Sequence, residues 1–425
     1  MERFKPMLLT TLHGYEKHTL INDLVAGIIV AIVALPLSIA LALASGVGPE
    51  EGLYTAIVAG FIISMLGGCK VQIAGPTAAF ATTVAGIVAT KGMNALMIAT
   101  IMAGLILIIM GLCRMGRLIK YIPATIVEGF TAGIAFTILV GQLKDFCGVA
   151  YPAGHSPIET MEKIEAFIAG IGSFNWWALL VGAISLAVLI LWPKVCKIVP
   201  ASLIAILVGV AVVGLLKLPV NTIGDLYSVS NALPSFRLPN LNINLLALVP
   251  DAISIAILAS IESLLSCVVA DGMINDKHRS NTELVAQGLG NIGSALMGGI
   301  PATGAIARTA ANIKSGGRTP VAGMIHAVVL LIILVVLMPF AAMIPMPTIA
   351  AVLFVVAYNM SGLKSIKRLA KTAPKTDFFV LLLALVLTIV FDLVVAIAVG
   401  MVVHFVIYLA RKYKIKYRIF PSKEN

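Results

Sequence analysis

Two ionisable residues stand where their surroundings make them costly. Arg308 lies in "GGIPATGAIARTAANIKSGG" (298–317), between strongly apolar stretches and with no acid within twenty residues on either side. Glu262 lies in "ISIAILASIESLLSCVVAD", flanked by Ser260, Ser263 and Ser266, with Ser266 one helical turn on and on the same face. At mid-membrane depth an Arg costs roughly 2.5–3.5 kcal/mol on insertion scales. A carboxylate there is also expensive unless it is paired, protonated or coordinating a cation. Two chemistries are open. Arg308 can attract an anion while Glu262 loads and releases a coupling cation, or the two can form a permanent ion pair that ties helices together. The other acids near apolar stretches have plainer readings. Glu128, in "IPATIVEGF", is expected at a helix end as an interfacial or packing residue. Asp251 after Pro250 suits a helix's first turn, and Asp392 has no assignable role.

Composition decides that these residues lie in a membrane protein. The chain is 60% hydrophobic and 12% charged, with a mean hydropathy of +1.05, whereas soluble domains are about a quarter charged. Apolar runs of about 20 residues, enough to cross ~30 Å of hydrocarbon, recur along its whole length. The N-terminus "MERFKPMLLTTLHGYEKHTL" is polar and lacks a signal-peptide pattern. Cys69, Cys113, Cys147, Cys196 and Cys267 show no metal-ligand spacing and read as small packing residues. No metal or organic cofactor is expected. There is no HExxH and no GxSxG, and His326 and His404 stand alone on apolar faces, so an enzyme is not expected.

Fourteen membrane segments are predicted, near 22–44, 53–68, 76–90, 94–113, 122–143, 175–192, 198–216, 245–270, 283–297, 303–313, 320–341, 346–361, 377–391 and 393–410. With the N-terminus inside, 24 of the 30 basic residues fall on the cytoplasmic side. Lys91, Lys144, Lys163, Lys217 and Arg237 fall outside, and Arg308 alone lies within a span. Both termini are therefore expected in the cytoplasm. The net charge of +11 is mostly topogenic, and no nucleic-acid partner is implied. Fourteen divides into seven and seven, and an odd repeat must be inserted upside down, which is the inverted-repeat plan of many secondary transporters. Its marker is a pair of Gly/Pro-interrupted segments at matching positions. Pro76 lies 54 residues after segment 1 begins, and Pro301 lies 56 residues after segment 8 begins. Each follows the same pattern: a short extended run (71–74; 299–302) leads through Gly and Pro into a half-helix of small residues, with Pro in its first turn. Two such helices inserted from opposite faces would aim free N–H groups and positive dipole ends at one spot, an anion site. Arg308, in the first turn of its half-helix, is then a cation at the unfavourable end, and a bound anion would relieve the conflict.

These features resemble those of the sulfate permease (SulP) family of anion transporters over nearly all of residues 20–410. The resemblance is carried by "DLVAGIIVAIVALPLSIALALASGVGPEEGLYTAIVAG" in segments 1–2, "IAGPTAAF" opening segment 3 and "SIESLLSCVVAD" in segment 8. "IPATGAIART" at segment 10 and "AAVLFVVAYNM" in segment 12 complete it. The set P-x-x-G-L-Y-[ST] (Pro49 to Thr55), then G-P-T, then P-x6-R is specific as a whole.

The resemblance implies an all-α polytopic fold of seven-plus-seven inverted repeats, like that of nucleobase transporters. After a cytoplasmic stretch at 1–21, a core domain (22–114 and 245–342) would move as an elevator against a gate domain (122–217 and 346–410). Residues 411–425 would form a basic cytoplasmic tail. It implies a small inorganic or carboxylate anion (sulfate, bicarbonate or dicarboxylate) held between segments 3 and 10 against segment 1. The positions are Leu37 and Leu41, Thr77 with the backbone of Ala78 and Ala79, and the backbone of Ala305, Ile306 and Ala307, with Arg308 behind. Two departures matter. Members carry a STAS domain after the last span, and residues 411–425 are too few for one, so the homodimer contacts linked to that domain stay open. Sodium-coupled bicarbonate members have Asp and Thr where this chain has Glu262 and Ser266, and a hydroxyl residue where it has Ile306. This favours H+ over Na+ as the coupling ion at Glu262 and Ser266, with Na+ and anion exchange as alternatives. A nucleobase transporter would offer a carboxylate in place of Arg308, and an uncoupled channel would not need Glu262. Apart from its substrate, the expected surroundings are membrane lipid.

Overall fold

The fold is described from a computed structural model, for residues 4–117, 123–152, 157–196, 199–372, 374–391 and 393–412. It is a helical assembly interrupted by one two-stranded sheet. The first half runs α1 (Met7–Thr11), α2 (Lys17–Ala44), α3 (Pro49–Leu66), β1 (Ala74–Gly75), α4 (Ala81–Leu112), α5 (Ala124–Cys147), α6 (Thr160–Ala169), α7 (Trp176–Val195), α8 (Ala201–Leu216) and α9 (Ile223–Leu226). The second runs α10 (Val249–Ile274), α11 (Ser280–Leu296), β2 (Thr303–Gly304), α12 (Ile306–Lys314), α13 (Pro320–Ala341), α14 (Met346–Met360), α15 (Leu363–Thr372), α16 (Lys375–Val390) and α17 (Leu393–Lys412). Asp392 and the tail beyond residue 412, with its predicted basic charges, lie outside the described residues.

Local chemistry sets many of these boundaries. Pro opens α3, α10, α13 and α14, where its missing N–H leaves nothing unpaired. Asn175 caps α7 by accepting from the N–H groups of Trp177 and Ala178. Inside α4 the chain breaks at Gly92 (φ 82°, ψ 171°), so a short stretch from Ala81 to Lys91 precedes a longer one. Seven helices among the described residues are long and apolar enough to cross a membrane, against fourteen predicted segments. Part of the difference is that α8, α11, α12 and α16 are shorter than a full crossing helix, at 16, 17, 9 and 16 residues, and that predicted segments 3 and 4 both fall within α4.

Four helices were not foreseen, one of them the single turn α9. The first, α1, docks by donating the Met7 N–H to the Gly67 carbonyl at 2.8 Å. A reciprocal Glu159–Glu162 capping box starts α6. The last, α15, gathers Lys364, Lys367, Arg368 and Lys371 on a helix with no buried residue. Glu128 accepts from the Ser365 hydroxyl at 2.8 Å, which ties α5 to α15.

The helices pack in two groups. In one, α11 lies on α4, α13 on α2 and α3, and α10 on α4 and α12; in the other, α5, α7, α8, α14 and α16 pack on one another. The α4–α11 crossing is close because two glycines meet: a Cβ on Gly104 would stand 2.7 Å from the Gly288 carbonyl. Polar residues in loops and near helix breaks or ends meet at two separate places. Lys70 pairs with Asp276, and Arg279 holds the Lys5 carbonyl. At the other ends of the helices Lys91 pairs with Asp251, and Asn94 bonds the Asn240 backbone.

The sheet joins the two halves. β1 and β2 run antiparallel, with Ala74 opposite Gly304 and Gly75 opposite Thr303. The strands lie a little later than the predicted extended runs, and neither proline enters a helix: Pro76 follows β1 and Pro301 precedes β2. Pro has no N–H to give a ladder, so it flanks the strands. Asn291 on α11 fixes the approach to β2, since its side chain both accepts the Ala302 N–H and donates to the Ala302 carbonyl at 2.9 Å. Asn291→Leu should orphan both buried groups and cost about 2–5 kcal/mol of stability, read as a lower unfolding temperature in detergent.

Candidate functional site

The site is assembled around the two strands. Arg308 is the third residue of α12 and only 2% exposed. Its Nη2 donates to the Pro76 carbonyl at 3.1 Å, so the first turn of one helix reaches the lead-in of the other. Its Nη1 has no hydrogen-bond partner among the described residues. Gly75 makes the approach feasible, because a methyl group there would collide with the guanidinium. The ion pairs among the described residues are Lys70–Asp276, Lys91–Asp251 and His278–Asp271, none of which involves Arg308. The permanent Arg308–Glu262 pair held open from the sequence is thus not formed.

Glu262 takes a different partner. It is half-buried on α10 and accepts the Thr77 hydroxyl hydrogen at 2.8 Å. Ser266, one turn on, shares a hydrogen bond with the Thr309 hydroxyl at 3.2 Å, and that oxygen also accepts the Ile73 N–H at 3.1 Å. Ser260 donates to the backbone of its own helix, and the buried Ser263 hydroxyl has no partner.

Backbone donors complete the arrangement. The first turn of a helix has no intrahelical acceptors for its N–H groups. On the α12 side the first intrahelical bond runs from Thr309 N to Ala305 O, leaving the amides of Ile306, Ala307 and Arg308 without one. On the other side a short turn, Ala78–Phe80, precedes α4, and its first intrahelical bond runs from Phe80 N to Thr77 O, leaving the amides of Ala78 and Ala79. One expectation needs correcting: the Ala305 amide is taken, because it donates to the Ile73 carbonyl at 2.9 Å and continues the sheet. Ile306 and Ala307 are exposed, whereas Ala78 and Ala79 are buried. α2 packs against α12 and carries Leu41, which is buried, and Leu37, which is half-buried.

Sequence reasoning missed the polar residues that hold this frame. Thr309 and Asn312 are buried on α12, and Asn312 donates to the Val71 carbonyl at 2.9 Å. Thr303 donates to Ala259 O at 3.0 Å, and Gln72 donates to Ser263 O at 2.9 Å. The available signal was spacing: positions 308, 309 and 312 share one face of a helix in a chain this apolar.

A helical, multi-pass membrane protein with an internal pair of broken segments is the class that this fold and site define. The chain belongs to the sulfate permease family, whose model matches residues 20–384. The family and the relatives matched are transporters, not enzymes. One relative, of Bacillus subtilis (strain 168), bears the name "Putative sulfate transporter YvdB", at 42% identity over 87% of this chain and 69% of that protein. Another is the bicarbonate transporter BicA of Picosynechococcus sp., at 30% identity over 83% of this chain and 64% of that protein. The solved transmembrane domain of a cyanobacterial BicA superposes with a TM-score of 0.79 at 29% identity, covering 90% of this chain and 98% of that one. Murine Slc26a9, an anion transporter in the inward-facing state, has a TM-score of 0.87 at 19% identity, over 98% of this chain and 72% of that one. At that identity the likeness concerns the fold alone.

Proposed function

We propose that this protein is a secondary active transporter of small oxyanions (sulfate, bicarbonate or a dicarboxylate) that moves them by an elevator motion coupled to protons at Glu262. The observation that carries the proposal is Arg308, a buried guanidinium with one free nitrogen and no carboxylate partner. It stands beside helix-start amides that no protein carbonyl claims. A charge in that position is stabilised by an anionic ligand. The two packing groups, touching mainly through α2 against α8 and α14, are the bodies that would slide past one another. Fourteen crossings with both termini in the cytoplasm account for the asymmetry of basic residues. They also account for the pairing of Lys70 with Asp276 on one face and of Lys91 with Asp251 on the other.

Sodium coupling is the second reading, favoured by the adjoining hydroxyls of Ser266 and Thr309, since a sodium ion takes oxygen ligands. One experiment separates the two: uptake of labelled sulfate, bicarbonate and fumarate into proteoliposomes under proton or sodium gradients imposed separately. Accumulation of one of these anions under an inward proton gradient alone is expected. Accumulation driven only by sodium would reassign the coupling ion, and no uptake of any of the three would end the proposal.

A further inference from the structure

Five basic residues fall on the face away from the basic majority, and two of them meet. Lys144, near the end of α5, and Lys163 on α6 both line a cavity of about 470 Å³. Its other wall is formed by the end of α2 and the stretch before Gly92, at Leu43, Ala85 and Ala89. A second cavity of about 300 Å³ adjoins it and shares Lys144, Asp145 and Tyr151. The cleft therefore lies between the two packing groups. It opens beside the helix that starts at Ala78 and two residues beyond Leu41 on α2.

Among the described residues, the charges in this cleft are not neutralised by ion pairs. Neither lysine forms an ion pair among the described residues, although Asp145 stands in the same wall. Lys144 lies over the Tyr151 ring, 5.1 Å from its centre, an orientation that keeps its ammonium at the cleft. Glu162, beside Lys163, is turned back to cap its own helix through the N–H groups of Ile158 and Glu159. Burial, together with the neighbouring Lys144, pulls the Lys163 ammonium below its ordinary value. Burial and then Asp145 push the Tyr151 phenol up to about 12, so it keeps its O–H as a donor. Two cations and a phenol thus face one half-buried space, and one carboxylate answers them.

We propose that Lys144 and Lys163 form an outer loading site that captures small oxyanions before they pass to Arg308. This rests on the transport reading above and adds a second, earlier station to it. A cleft lined by one sign of charge concentrates the opposite ion and raises its capture rate. Asp145 moderates the effect, weakening a hold that would otherwise retain the ion.

The test uses the full chain in proteoliposomes, with sulfate and bicarbonate presented to each face in turn. K144Q/K163Q should raise KM for anion presented at the outer face by about tenfold. It should leave kcat unchanged, leave KM from the inner face unchanged, and flatten the dependence on ionic strength. K144R/K163R should restore the wild-type KM, which removes misfolding as an explanation, and D145N should lower it. A second measurement does not need transport: sulfate should protect both lysines of the purified protein from a water-soluble amine-modifying reagent, read by mass spectrometry. Unchanged outer KM, an equal rise from both faces, or labelling indifferent to sulfate would each overturn the proposal. Wild-type protein that transports none of the anions defeats the transport reading instead, and the labelling result then judges the lysine site alone.

Discussion

Arg308→Ala is expected to weaken sulfate or bicarbonate binding by about 2–3 kcal/mol, a factor of roughly 30 to 150. The loss has two sources. The guanidinium supplies charge-assisted donors to the ligand, and its Nη2 bond to the Pro76 carbonyl holds the two broken segments in register. Arg308→Lys separates them, because a lysine keeps the charge but cannot reach ligand and carbonyl together with a planar fork. It should fall between wild type and alanine. Calorimetric titration of detergent-purified protein with the anion measures the effect, and the unfolding temperature of the same sample serves as the control. If binding survives while the unfolding temperature collapses, Arg308 is a tether between the strands and the anion lies elsewhere.

Glu262→Gln carries the second large effect. With the membrane potential clamped at zero, one proton per anion across one pH unit supplies about 1.4 kcal/mol, and so about tenfold accumulation. Glutamine can still accept from the Thr77 hydroxyl, which now donates to Glu262 at 2.8 Å, but it cannot load or release a proton. Accumulation should fall to the equilibrium level while anion–anion exchange across the same vesicles continues. Full proton-driven accumulation in that variant would remove Glu262 from coupling. Thr77→Val should have the milder effect, since it removes a hydroxyl donor and leaves the carboxylate.

The two residues at the centre of both predictions were legible in the sequence for one reason. A charge in an apolar run is costly wherever the chain later goes, so Arg308 and Glu262 mark themselves before any fold is known. The glycines and prolines around 75–76 and 298–301 were legible too, because they forbid continuous helix locally. Their exact roles were not. Both prolines flank the sheet instead of opening helices, and the Ala305 amide enters the sheet instead of remaining free. Each outcome depends on a strand partner some 230 positions away in the chain. The same holds for Thr309 and Asn312, which look like ordinary polar residues until Ile73 and Val71 are placed beside them.

By itself the sequence determined that this chain lives in a membrane, where its main apolar segments lie and which charges are out of place. Hydropathy, proline geometry and the cost of an ion in hydrocarbon are properties of short stretches, summed along the chain. Only the tertiary structure decided that Glu262 meets Thr77 and not Arg308, that the guanidinium keeps a nitrogen free, and that Lys144 and Lys163 share a cleft. Those are distances between groups on different helices, and the packing of everything between them sets such distances.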